Sequence, residues 1–169
     1  MKTNAMILTT VNEDLEYKTI CLQDLSEYDV LVRVLYTGVC HTQLLEARGH
    51  RGEDKFLPHC MGHEASGIVE KIGKKVTTVS TGDKVALTWI KCNGGNSGGK
   101  IHTSVHGDRK VNAGPVATFS QHTIVSENKC IKVYKSYNFT SSGVPDRSVP
   151  SPELEKLEEA WAKFEEART

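Results

Sequence analysis

The sequence predicts a mainly β protein, a barrel or sandwich with short helices, followed by a C-terminal amphipathic helix. Three observations predict it. Short runs of β-branched and aromatic residues recur between turn signals from residue 1 to about 135. A stretch rich in Ser, Pro and Gly covers 136–150 and reads as a linker. Beyond it the composition shifts to a charged segment with helical spacing of its apolar residues.

Taken in order, Val30–Tyr36 is the strongest strand, because β-branched and aromatic side chains fit a pleated surface. Residues 41–48 form the expected short helix, directly after Cys40. Gly67–Ile72 is a second strand, ended by Gly73. Lys84–Ile90 is a third, entered through the turn Thr81-Gly82-Asp83. Phe119–Val125 and Cys130–Tyr134 supply two more. Residues 93–115 read as a loop, since the run Asn93-Gly94-Gly95-Asn96-Ser97-Gly98-Gly99 loses much backbone entropy on ordering. The domain organisation is thus 1–135, a linker over 136–150 and a helix over 151–169.

The terminal helix has its own start signal: Ser151 as N-cap, Pro152 in the first turn and Glu153 beside the positive end of the helix dipole. Leu154, Leu157, Trp161 and Phe164 make one apolar stripe. Glu155, Glu158, Glu159, Lys163 and Glu166 line the other face. The stripe must be buried, either against the chain's own barrel or against a partner protein or second copy.

Composition narrows the function. The chain has 169 residues, with 21 Lys+Arg against 21 Asp+Glu and no formal net charge. That balance gives no large basic surplus for a nucleic acid. No apolar run reaches the roughly 18–20 residues that cross a bilayer, and the start is too short in apolar residues for a signal peptide. A cytoplasmic setting is expected, in which the five cysteines are thiols or ligands rather than disulfides. Asn138-Phe139-Thr140 fits a glycosylation acceptor, which that compartment would leave unused.

Three clusters carry chemistry-bearing residues: Gly38-Val39-Cys40-His41-Thr42, Pro58-His59-Cys60-Met61-Gly62-His63-Glu64, and Cys92 with His102 and His106. Cys40 ends a strand and His63 precedes one. Thiolate and imidazole are good zinc ligands, and a catalytic zinc takes three protein ligands with one position open. Glu64 can support a ligand or become one, and the Thr42 hydroxyl can pass a proton. The same residues also fit a buried cysteine and a hydrogen-bonded core histidine. The third cluster reads as loop residues without ligand geometry.

The ordered motifs resemble a known family. Gly38-Val39-Cys40-His41-Thr42 is similar to the first zinc-ligand motif of the medium-chain zinc-dependent alcohol dehydrogenases. Leu57-Pro58 with Gly62-His63-Glu64-Ala65-Ser66-Gly67-Ile68-Val69 resembles the second. Val69–Gly73, Val76, Val79, Gly82-Asp83-Lys84-Val85 and Ala117–Val125 follow in the family's order. The resemblance runs from about residue 5 to about 134 and implies a GroES-like, partly open β-barrel, the substrate-side domain of those enzymes. It implies that Cys40 and His63 are zinc ligands and that Glu64 is a carboxylate able to approach the metal. It further implies that Thr42 is the relay hydroxyl and that His41 contacts the pyrophosphate of NAD(P). The implied substrate is a small alcohol or aldehyde.

The departures matter as much. The relay hydroxyl is usually followed by Asp; here Gln43 stands there, and a neutral amide makes a weaker bond to a metal-bound imidazole. The four-Cys structural zinc lobe of many members is reduced to Cys92. After Cys130 the chain has no Cys or His, so the family's third ligand is missing; Glu64, His59 and Cys60 are the candidates within the chain. No G-x-G-x-x-G turn follows. The isolated chain is therefore expected to be inactive by itself, its nicotinamide domain being absent. The alternative function is a non-catalytic binding or oligomerisation module that uses the helix over 151–169.

Overall fold

A computed structural model describes residues 1–133. The expected linker and terminal helix lie outside the described residues. Ten strands, one α-helix and one 3-10 turn make up the described part, which is mainly β as expected. The strands are β1 (Lys2–Leu8), β2 (Glu16–Cys21), β3 (Asp29–Thr37), β4 (His59–Cys60), β5 (Glu64–Ile72), β6 (Lys84–Thr88), β7 (Lys100–Ser104), β8 (Lys110–Gly114), β9 (His122–Ser126) and β10 (Cys130–Val133). The helix α1 spans His41–Ala47, and the 3-10 turn spans Glu127–Lys129.

The strands form two units. The first is a barrel in the order β1-β2-β7-β8-β4, and it is closed rather than partly open. Closure rests on short pairings: β4 meets β1 through Ile7↔Cys60 and Leu8↔His59, and runs parallel to β8 at His59↔Asn112. The second is a five-stranded sheet in the order β10-β6-β5-β3-β9.

β3 joins the two cores through the two-residue period of a strand. Leu31 points into the barrel core with Ala5, Ile7, Ile20, Leu22, Val111, Ala113, Ala117 and Ile124. Val30 and Val32 point the other way, to Val69, Val79, Val85, Leu87, Val116, Val125 and Cys130. A strand buried on both faces needs a continuous apolar run rather than an alternating one. That is why Val30-Leu31-Val32 was the plainest strand in the sequence.

The segment 93–115 corrects the sequence reading: it is not a plain loop. Lys100–Ser104 and Lys110–Gly114 pair as antiparallel strands, Lys100↔Gly114 to Thr103↔Lys110. The alternation is present, but the inward positions of β7 are Lys100 and His102. A buried lysine and a buried histidine do not look like a strand's apolar face. The histidine adapts to the site, because burial and the nearby Lys100 ammonium hold the His102 imidazole down at about 4. Its Nδ1 then accepts a hydrogen bond from the Gln23 amide at 3.3 Å. The glycine run before it is also ordered, with Gly95 N donating to Glu127 Oε2 at 2.7 Å and Ser97 N to Ser126 Oγ at 3.0 Å.

The pair β1 and β2, in register from Lys2↔Cys21 to Ile7↔Glu16, was not singled out from sequence. β2 buries only Ile20 among its six residues, so it carries almost no apolar pattern. The cysteines Cys21, Cys40, Cys60, Cys92 and Cys130 are all without disulfides. Among the described residues, no helix is long and apolar enough to cross a membrane.

Candidate metal and relay site

The antiparallel pairing of β3 with β5 assembles the two motifs. Its register runs from Val30↔Ile72 to Thr37↔Ala65, with irregularities after Leu31 and Val34. Beyond Thr37 the contact continues, as Gly38 N donates to Glu64 O at 3.1 Å. The same carbonyl accepts the hydroxyls of Thr37 at 3.1 Å and Thr118 at 3.2 Å. Gly38 is required for this approach: a Cβ there would stand 2.8 Å from Glu64 Cδ, and closer still to Oε1. The Glu64 carboxylate therefore lies over the backbone that leads into Cys40.

Cys40 is the N-cap of α1, with extended backbone at φ −96° and ψ 148°. It is a buried thiol. Thr42, in the first turn, donates its hydroxyl to Cys40 Sγ at 3.3 Å. Gln43 is buried and accepts the Cys40 amide on Oε1 at 2.8 Å, a reciprocal capping arrangement. Its Nε2 is buried with no hydrogen-bond partner. The carboxamide that replaces the family's usual Asp thus spends its oxygen on the helix cap and leaves a donor free. His41, the first helical residue, is exposed.

His63 is half-buried between Gly62 and β5. Gly62 has φ +95°, and a Cβ on it would stand 2.8 Å from Phe119 N and closer to Thr118 Oγ1. Only glycine accepts that conformation and that approach at once. Met61 O, one residue earlier, accepts the amides of Thr118 and Phe119 at 2.9 Å each. Gly62→Ala is expected to destabilise the fold by about 1–3 kcal/mol from backbone strain alone, with added cost from the displaced 118–119 segment. Urea unfolding of the two proteins measures it.

The donors suit zinc: a buried thiol with a hydrogen-bond donor on its sulfur, an imidazole and a cradled carboxylate. The structure brings the backbones of Gly38 and Glu64 into contact. It does not gather the ligand atoms of Cys40, His63 and Glu64 into a cluster as tight as the one described next.

Among the described residues, three such atoms do lie within 4.8 Å of one another, those of Glu46, Asp54 and His59. His59 Nε2 is 2.8 Å from Asp54 Oδ2 and 3.9 Å from Glu46 Oε1. Asp54 Oδ1 is used separately, accepting the Phe56 amide at 2.8 Å. Sequence reasoning named His59 as a possible third ligand but missed Glu46 and Asp54. They come from α1 and the following loop at spacings that match no motif. Cys60, beside His59, is not a thiolate donor, because burial pushes its thiol up to about 12. His102 and His106 fall in β7 and in the turn after it, not in a ligand loop.

Comparison with known proteins covers most of the described chain. The family model of the alcohol dehydrogenase GroES-like domain matches residues 26–135. The alcohol dehydrogenase of Schizosaccharomyces pombe is 34% identical over 84 residues, 50% of this chain and 24% of that protein. The alcohol dehydrogenase class-3 of Caenorhabditis elegans is 29% identical over 152 residues, 76% of this chain and 39% of that protein. The crystal structure of benzyl alcohol dehydrogenase from Acinetobacter calcoaceticus superposes with a TM-score of 0.64 at 26% identity, covering 80% of this chain and 42% of that one. The chain thus spans less than half the length of each of these relatives.

Proposed function

The chain belongs to the alcohol dehydrogenase GroES-like domain family, and from that premise we propose that it is the zinc- and substrate-binding part of an alcohol or aldehyde oxidoreductase. The supporting observation is the join between its two motifs: Gly38 N to Glu64 O at 3.1 Å, with the Glu64 carboxylate seated over Gly38. Residues more than twenty positions apart are held edge to edge where the family resemblance puts a metal.

On this reading Cys40 and His63 are the zinc ligands and Glu64 is the carboxylate beside them. Zinc, when bound, supplies Lewis acidity toward an alcohol or aldehyde oxygen. The chain's own residues supply the rest. Gln43 holds the Cys40 amide and so fixes the sulfur at the head of α1. Its unpartnered Nε2 is available to an imidazole or a water. Thr42 donates to Cys40 Sγ; the same hydroxyl, on rotation, can take a proton from a substrate and release it. His41 is exposed, as a contact to a cofactor phosphate requires. The hydride acceptor implied by the resemblance is NAD(P), and on this reading His41 would be this chain's contact to it.

Zinc content after exhaustive dialysis tests the ligand assignment. The parent chain is expected to retain zinc, and Cys40→Ala to lose it, because a missing ligand costs no less than the 10–100-fold that outer contacts contribute to metal affinity. Equal zinc in both proteins would remove Cys40 from the site.

A further inference from the structure

We propose a second metal site, separate from Cys40 and His63, in which Glu46, Asp54 and His59 hold one divalent first-row cation. The inference does not depend on the zinc assignment above.

The first support is convergence. Three ligand atoms from three different pieces of the fold lie within 4.8 Å of one another: α1 gives Glu46, the loop after it gives Asp54, and β4 gives His59. Donors that each stand about 2.0–2.2 Å from one ion are themselves roughly 3–3.5 Å apart. The pair His59 Nε2 and Asp54 Oδ2, at 2.8 Å, opens by a few tenths of an ångström to admit it. Glu46 Oε1, at 3.9 Å on the more exposed side, closes by side-chain rotation.

The second support is the hydrogen bonding of a side chain that is only 10% exposed. His59 Nδ1 lies 3.2 Å from Cys60 O, and a carbonyl oxygen can only accept. Nδ1 therefore donates to that carbonyl, which leaves Nε2 to face the two carboxylates. Nε2 faces Asp54 Oδ2 and Glu46 Oε1, two acceptors that need a positive charge between them, carried either by a second ring proton or by a metal ion. The proposed metal ion takes the place of that proton on Nε2. A ring that donates one N–H to a backbone carbonyl while offering the other nitrogen is also the arrangement that orients metal-bound histidine.

The donor set selects the ion. One imidazole and two carboxylates, with no thiolate among the three, favour Mn²⁺, Fe²⁺ or Zn²⁺ over soft ions. Water completes the shell on the Glu46 side, where the side chain is 36% exposed.

The test uses Mn²⁺, which avoids thiolate, and the full chain carrying Cys40→Ala so that the first site is disabled. Free Mn²⁺ is followed by its electron paramagnetic resonance signal. One Mn²⁺ per chain is expected, with affinity falling about tenfold or more in Glu46→Gln and in His59→Gln on that background. Glu46→Gln keeps the test sound if His59→Gln fails to fold, because Glu46 is partly exposed. No binding by Cys40→Ala, or binding that neither substitution weakens, overturns the proposal. The zinc experiment on Cys40 can fail without affecting this result, and the reverse also holds.

Discussion

Lys100→Met is expected to cost about 3–5 kcal/mol of folding stability, the range for removing one partner of a buried ion pair. The Lys100 ammonium is 2.8 Å from Asp29 Oδ1, with exposures of 1% and 0% for the two side chains. The ammonium also donates to Gly98 O at 2.8 Å and to Ser126 Oγ at 3.3 Å. Methionine fills much of the same volume but leaves the Asp29 carboxyl without its cationic partner in a dry interior. Asp29→Asn added to Lys100→Met is expected to recover part of the loss, because the amide keeps an oxygen for the Ser26 N–H and carries no charge. Urea unfolding of the parent, the single and the double variant decides it. A single variant as stable as the parent would show that the pair contributes nothing net. The location explains why the effect should be global. Asp29 begins β3, Ser126 ends β9 and Lys100 begins β7, so this one side chain bolts the barrel to the sheet.

The second large effect is a loss of stability in acid through Glu127. Burial by itself would raise this carboxyl. Hydrogen bonds outweigh burial: Gly95 N donates to Oε2 at 2.7 Å, and Thr77 N and Thr78 N donate to Oε1 at 2.5 and 2.7 Å. Together they hold the group at about 2, against an ordinary 4.5. A carboxyl depressed in the folded state stabilises it fully above the unfolded value and loses that contribution as pH falls toward the folded value. The window therefore runs from about 4.5 down to about 2. The depression corresponds to about 3 kcal/mol at neutral pH. Glu127→Gln is expected to lower stability by up to that amount at pH 7 and to flatten its pH dependence in the window. Parallel slopes for the two proteins there would rule Glu127 out as the responsible group. The segment at stake is the glycine run 93–99, which Glu127 ties to the turn at Thr77 and Thr78.

These two residues also mark where sequence reasoning stops. The apolar strands were legible because burial on both faces of β3 writes itself as Val30-Leu31-Val32. The short helix was legible because Cys40 precedes a run with few turn residues, and it spans His41–Ala47. The hairpin of β7 and β8 was not legible, because Lys100 and His102 occupy inward positions whose acceptability depends on Asp29, Ser126 and the Gln23 amide, residues remote in the chain. β2 was likewise silent, since Glu16–Cys21 is paired on both sides in the closed barrel yet buries a single apolar residue.

The residues of the candidate site divide in the same way. The chain order of Cys40, His41, Thr42, His63 and Glu64, with the glycines around them, determined by itself which family the chain resembles. Local chemistry explains this: Gly62 at φ +95° and Gly38 under the Glu64 carboxylate are positions that no other residue fills without strain or collision. The Gln43 oxygen is spent on the Cys40 amide within one helical turn, but the burial that leaves its Nε2 unpartnered was decided only by the tertiary structure. The meeting of Glu46, Asp54 and His59 was decided there too. Spacing along a chain records contacts within one element. A cluster drawn from a helix, a loop and a two-residue strand exists only once the barrel has closed.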